Sequence, residues 1–189
     1  MIPSAQPRPE RLRPSVPAVL ALGSNLGDRA ATIRAAVAEL DDEPGIRVVR
    51  ASALFETPAV KPTGVDPDAP AYLNGVVAIE TALSPHALLD AVNAIEQRHG
   101  RVREVRWGDR TLDIDIIDFD ARELSDDRLT LPHPRAWERG FVLAPWHDIQ
   151  PDAVLAGHGR IDALLAATTD VVRPYPVSDA DVDEDGDAR

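Results

Sequence analysis

Along this chain, hydrophobic positions alternate with polar ones in some segments, recur at helical spacing in others, and stop at clusters of proline and glycine. Ala18–Leu22 is a short apolar run that ends at Gly23-Ser24-Asn25, the pattern of a buried strand meeting a turn. Asp28 then stands at a helix N-cap position, and Ile33, Val37 and Leu40 share one face of a helix over Arg29–Leu40. Pro44-Gly45 breaks the chain, and Arg47–Glu56 reads as a strand that Pro58 ends. Residues 59–70 carry Pro62, Gly64, Pro67 and Pro70, the composition of a long mobile loop. Tyr72–Ala82 is rich in strand formers. Ser84 followed by Pro85 opens a helix that runs to about His99 and closes at Gly100. Beyond a polar connector, Arg101–Arg110, the segment Thr111–Asp120 patterns as another strand. Leu129–Pro145 reads as irregular with one helical turn, and Ile161–Ala167 as a last short helix.

Strand, helix, strand, strand, helix, strand is the order of an α+β ferredoxin-like sandwich. It predicts a mostly antiparallel four-stranded sheet with helices on its face, plus extra C-terminal elements. A length of 189 residues suits one domain, placed here at 18–175. Residues 1–17, with five prolines, three arginines and little apolar surface, are expected to form a flexible N-terminal extension. Residues 176–189 are expected to be an acidic disordered tail. Their spaced aspartates resemble a calcium loop, but the closing bidentate Glu is missing and no helix follows.

Charge then narrows the classes of function. Asp and Glu outnumber Lys and Arg by 32 to 20, for a net charge of −12, which disfavours general nucleic-acid binding. No apolar run reaches 18 residues, so no membrane span is expected. With no cysteine there is neither a disulfide nor thiol chemistry, and the proline-rich N-terminus lacks the apolar core of a secretory signal. A cytoplasmic protein, monomeric and without nucleic-acid or membrane partners, is the expectation.

The sharpest chemical feature is Arg110-Thr111-Leu112-Asp113-Ile114-Asp115-Ile116-Ile117-Asp118. On a strand, Asp113 and Asp115 share one face roughly 6–7 Å apart, while Leu112, Ile114 and Ile116 take the other. At an effective dielectric near 20 the two carboxylates repel by about 2–3 kcal/mol, a penalty that a divalent cation reverses. Mg²⁺, with oxygen ligands shared with phosphates, is the suited ion. Arg101, Arg103, Arg106 and Arg110 crowd the residues upstream, with Arg128 and Arg139 beyond, and arginine grips phosphate oxygens bidentately. Lys61 is the only lysine and no Gly-Lys-Ser/Thr occurs, so a P-loop is excluded. His133, boxed between Pro132 and Pro134, is a candidate phosphate donor. Tyr72 and Phe141 suit the two faces of a flat heterocycle, with Asn74 at its edge. A two-metal nuclease or phosphodiesterase, and a non-catalytic ligand-binding module, are the alternative readings of the same residues.

Taken together, Gly23-Ser24-Asn25-Leu26-Gly27, Glu56-Thr57-Pro58, Tyr72-Leu73-Asn74, the block from Arg106-Trp107-Gly108 through Arg110-Thr111-Leu112-Asp113-Ile114-Asp115, Leu131-Pro132-His133-Pro134 and Arg139-Gly140-Phe141-Val142-Leu143 resemble the 6-hydroxymethyl-7,8-dihydropterin pyrophosphokinases of folate biosynthesis. The resemblance spans about Val19 to Pro151. It implies transfer of diphosphate from ATP, the co-substrate, to the pterin hydroxymethyl group, with two Mg²⁺ ions held by Asp113 and Asp115. It further implies Arg101, Arg110, His133 and Arg139 at the phosphates, with Arg101 and Arg110 catalytic beside the two aspartates. Thr130, Ile116 and Glu96 would shape the nucleotide pocket. Thr57, Pro58, Tyr72, Asn74 and Phe141 would form the pterin pocket, and Trp107 would close over it.

Overall fold

The computed structural model describes residues 14–61, 64–65, 69–100 and 111–176. Its elements are β1 (Val16–Ser24), α1 (Arg29–Asp42), β2 (Ile46–Ala51), β3 (Phe55–Thr57), the hairpin β4 (Val60–Lys61) and β5 (Gly64–Val65), β6 (Tyr72–Thr81), α2 (Pro85–Arg98) and β7 (Asp113–Phe119). There follow the hairpin β8 (Leu124–Ser125) and β9 (Thr130–Leu131), a 3-10 turn (Ala136–Glu138), α3 (Gly140–Ile149), the hairpin β10 (Val154–Leu155) and β11 (Gly159–Arg160), α4 (Ile161–Ala167) and β12 (Arg173–Pro174).

The main sheet runs β12-β3-β6-β1-β7, with β2 also paired to β6, and every pairing in it is antiparallel. An antiparallel sheet with helices on a face matches the expectation, but it has six strands rather than four. The first strand also begins at Val16, two residues inside the segment assigned to the flexible extension. The expected single strand over Arg47–Glu56 is broken. Ser52 interrupts it, accepting from Val76 N–H on Oγ and donating its own N–H to Val76 O, both at 2.9 Å. Leu54 then turns over Gly75, whose missing Cβ makes room for Leu54 Cδ2. β2 and β3 consequently pair with different ends of β6.

Two cores flank the sheet. On one face Leu20, Leu22, Val77, Ile79, Ile114 and Ile116 pack against Ile33, Ala36 and Leu40 of α1 and Leu88, Val92 and Ile95 of α2. Ala36 takes the central place expected of Val37, which is half-buried at the rim. Asp28 Oδ1 caps α1 at Ala31 N–H (3.0 Å) and Ser84 Oγ caps α2 at Ala87 N–H (3.3 Å), each worth about 1 kcal/mol. On the other face Val19, Val76, Ala78 and Ile117 meet Val142, Leu143, Trp146 and Ile149 of α3 and Ile161 of α4. α3 occupies a stretch read from sequence as irregular. Pro145 forfeits one helical hydrogen bond, and burial of the four α3 side chains offsets the loss.

Between Val19 and Leu20 the β1–β7 register shifts, and the extra β7 residue is Ile117. Such a bulge reverses the alternation beyond it. Ile117 keeps the side of Asp113 and Asp115 and joins the α3 core, while Phe119, past the bulge, turns to the α1–α2 core. Beside the bulge, Asp118 Oδ2 accepts from Ala121 N–H (3.2 Å), and its Oδ1 is buried with no hydrogen-bond partner among the described residues. Burial, first, and the nearby Asp120 charge push the Asp118 carboxyl above its ordinary range. The folded state thus holds its proton more tightly than the unfolded one. This destabilising contribution is absent below the unfolded pKa and grows as pH rises through the raised folded value. Asp118→Asn is expected to raise the melting temperature at pH 7, with the gain fading on acidification, as thermal denaturation across pH would show.

Candidate active site

Where β6, β1 and β7 lie side by side, the register places the predicted residues in rows. Phe55, Asn74, Gly23 and Asp113 form one row across β3, β6, β1 and β7; Val76, Ala21 and Asp115 form the next; Thr57 and Tyr72 are paired on the outer side. Directly opposed residues point to the same face of a sheet. Val76 belongs to the α3 core, so all three rows face the α3 side. The aspartates are half-buried while Leu112, Ile114 and Ile116 are buried on the far face, as alternation requires.

Asn74 is buried, and its Nδ2 donates to Thr57 Oγ1 at 3.0 Å and, at 3.5 Å, to Phe55 O. The amide is thereby oriented with β3 as its support, and Thr57 is buried with it. Tyr72 is half-buried on the same face, and Pro58 is exposed at the mouth of the following loop. Phe141, in the first turn of α3, is half-buried beside the α3 core and lies under the Arg139 guanidinium, 5.4 Å from its ring centre. Gly23 keeps the floor open. A Cβ there would stand 3.4 Å from Asn74 Oδ1, between the amide and Asp113.

The His133 imidazole and the Arg139 guanidinium converge on Asp115. His133 Nε2 is 3.8 Å and Arg139 Nη1 3.9 Å from Asp115 Oδ2, in the range of ion pairs rather than hydrogen bonds. The His133 and Arg139 side chains are only 18 % exposed, whereas that of Asp115 is 40 % exposed. The acid thus faces the cleft and its partners are recessed. His133 N–H donates to Ile117 O (2.9 Å), which fixes its loop to the edge of β7. Arg135 N–H donates to His133 Nδ1 (3.1 Å), so in the neutral ring the proton sits on Nε2, the atom nearest Asp115. Burial holds this imidazole below its usual range, with Arg139 and Arg135 acting in the same sense and Asp115 against. Arg139 is likewise lowered by burial and stays a cation at any ordinary pH.

On the outer side of β7 a cleft of about 300 Å³ is lined by Leu89, Ile114, Asp115, Ile116, Arg128, Leu129, Thr130 and His133, with Asp126, Asp127 and Pro134 at its rim. Ile116 and Thr130 are thus brought together with His133, as expected. Glu96 lies beneath, buried, with Oε1 accepting from Ile114 N–H at 2.7 Å. It supports the cleft strand rather than lining the cleft. Leu89 and Leu129 join this lining without a motif to mark them. Their only signal is an apolar position beside a polar loop. Arg128 pairs with Asp90 at the rim. Arg101, Trp107 and Arg110 lie outside the described residues.

The chain matches the model of the 7,8-dihydro-6-hydroxymethylpterin-pyrophosphokinase family over residues 19–151. The chain belongs to this family. It is 49% identical over 147 residues, covering 78% of this chain and 90% of the other, to the 2-amino-4-hydroxy-6-hydroxymethyldihydropteridine pyrophosphokinase of Methylorubrum extorquens. To the Bacillus subtilis protein of the same name it is 45% identical over 132 residues (70% and 77%). The mitochondrial folate synthesis bifunctional protein of Arabidopsis thaliana is 44% identical over 136 residues, 72% of this chain and 24% of that one. Among solved structures, wild-type Plasmodium falciparum HPPK-DHPS with pterin and p-hydroxybenzoate has a TM-score of 0.63 at 17% identity, covering 83% of this chain and 44% of that chain. That likeness speaks for the fold. Every family block quoted above and described in the structure, from Gly23 to Leu143, borders the rows, the cleft or both.

Filling the floor tests this geometry. Gly23→Val keeps strand propensity but sets two methyl groups between Asn74 and Asp113, so turnover is expected to fall at least about tenfold. Far-ultraviolet circular dichroism should remain that of the parent.

Proposed function

We propose that this chain transfers diphosphate from ATP to the hydroxymethyl group of 6-hydroxymethyl-7,8-dihydropterin, a step of folate biosynthesis, across the rows of side chains on β6, β1 and β7. The observation that carries the reading is the single face shared by Asn74, Asp113 and Asp115. Two strand spacings separate Asn74 from Asp113, about 10 Å. A flat ring held at its edge by Asn74, between Tyr72 and Phe141, extends its hydroxymethyl group toward the carboxylates. Thr57 and Pro58 close the outer end of that pocket.

The donor set fits a hard divalent cation. Two carboxylates on one strand leave most coordination positions to phosphate oxygens and water, the arrangement Mg²⁺ favours. Among the described residues no group of three or more His, Asp or Glu forms a metal cage, which suits ions held jointly with a nucleotide. Asp113 and Asp115 would hold two Mg²⁺ ions, which when bound would neutralise negative charge on the phosphates. His133 donates its Nε2 proton to a phosphate oxygen, and Arg139 adds a permanent cation beside it. Ile114, Ile116, Leu89 and Leu129 give the nucleotide an apolar seat, with Thr130 at its edge. The reading retains Arg101 and Arg110 at the phosphates and Trp107 as the closing side chain.

The hydroxyl oxygen bonds to the β-phosphorus as the bridge to the α-phosphate breaks. AMP departs with that electron pair, and the hydroxyl proton passes to solvent water. No Ser or Cys nucleophile is required, so rate enhancement comes from alignment and charge neutralisation. Family membership favours neither a nuclease nor a non-catalytic module. Incubation with ATP, Mg²⁺ and the dihydropterin is expected to yield AMP in step with the pterin diphosphate, whereas ADP would contradict the reading. Asp115→Ala should lose about 10²–10³-fold in turnover at saturating Mg²⁺. Near-parental turnover would remove Asp115 from the site.

A further inference from the structure

The segment 168–175 lies beyond the residues matched by the family model, which end at 151. Yet it touches both walls of the pocket read above as the ring site. At α3 the N-cap residue is Arg139, whose side chain makes no capping bond. The first helical N–H, that of Gly140, donates instead to Asp170 Oδ2 at 2.7 Å, thirty residues further along the chain. The fit is close. A Cβ at Gly140 would lie 2.8 Å from Asp170 Cβ and 3.2 Å from both Thr168 Oγ1 and Val172 Cγ2. Gly140 immediately precedes Phe141, so whatever holds its backbone sets where that ring stands, whereas Arg139 is held from the other side by its N–H bond to Ala136 O at 3.2 Å.

The same segment continues as β12, where Arg173 and Pro174 pair with Glu56 and Phe55 of β3, and Tyr175 N–H donates to Leu54 O (2.8 Å). Arg29 ties that edge to α1. Its Nη1 bonds Glu56 Oε1 (3.0 Å) and Ala71 O (2.6 Å), and its guanidinium stands 6.0 Å from the centre of the Tyr175 ring. One short stretch of chain therefore grips the start of α3, which carries Phe141, and the strand that carries Thr57. The nucleotide cleft lies at the opposite edge of the sheet, beyond β7.

We infer that residues 168–175 act as a strap that sets the width of the ring pocket between Phe141 and the Thr57–Asn74–Tyr72 wall, with Asp170 as its positioning residue. This rests on the functional reading above. Because the strap borders one substrate and not the other, its loss acts selectively.

The test compares binding of the dihydropterin and of Mg-ATP by calorimetry on the full chain. Asp170→Ala is expected to weaken dihydropterin binding about tenfold, the scale of a lost helix cap, while Mg-ATP affinity stays within about twofold. Asp170→Asn, whose amide oxygen can still accept from Gly140 N–H, should bind both like the parent. Gly140→Ala, which displaces the strap from the other side, should reproduce the selective loss, and it carries the comparison should Asp170→Ala not fold. Equal weakening of both ligands in the alanine variants, or of neither, overturns the strap. A parent chain that binds Mg-ATP but no dihydropterin overturns the functional reading and the strap with it, and is distinguished by the parent measurement alone.

Discussion

Alternation along β7 turns two carboxylates toward the open face of a sheet whose other face is closed by α1 and α2, and the rest of the site answers that placement. Left alone, the pair costs about 2–3 kcal/mol in repulsion. The fold offsets part of it by recessing Arg139 and His133 about 4 Å from Asp115, on segments anchored to α3 and to Ile117. What remains is negative charge exposed on one side and backed by fixed donors on the other. Such an arrangement receives a phosphate–cation assembly better than either species alone.

The bulge at Ile117 divides labour along the same strand. Above it, the odd-numbered positions Asp113 and Asp115 are acids on the α3 side of the sheet, Asp115 at the cleft. At Ile117 the same face is buried by α3, and beyond it the alternation reverses so that Phe119 can fill the other core. Gly23 and Ala21 on β1 keep the open half low enough for a ligand to lie across β6, β1 and β7. α3 therefore does two things. Val142, Leu143, Trp146 and Ile149 close the second core, and its first turn delivers Arg139 and Phe141 to the boundary between core and cleft.

Much of this was legible from the chain. Period-two patterning in Thr111–Asp120 reveals which side chains share a face, and the caps at Asp28 and Ser84 announce their helices with local hydrogen bonds. Features that depend on distant partners were not legible. Pro145 looks like a helix breaker until the sheet is there to bury its neighbours. The break between β2 and β3 needs Gly75, over twenty residues later, to make room for Leu54. The pairing of Arg173–Pro174 with β3 and the capping of Gly140 by Asp170 carry no periodic signal, because single contacts across long separations leave none. Glu96, expected from the resemblance to shape a nucleotide pocket, lies buried with its carboxylate on Ile114 N–H, a support for the strand that periodicity does not reveal. The arginines at 101 and 110 and Trp107 lie outside the described residues.

If Asp113 and Asp115 hold the cation together with the nucleotide, as proposed, the binding of the two ligands is linked through those carboxylates. ATP affinity should be titrated with and without Mg²⁺ in the parent and in the double variant Asp113→Asn, Asp115→Asn. Mg²⁺ is expected to tighten ATP binding to the parent by at least about tenfold and scarcely to change it in the variant. Equal tightening in both would place the cation elsewhere than on these two carboxylates.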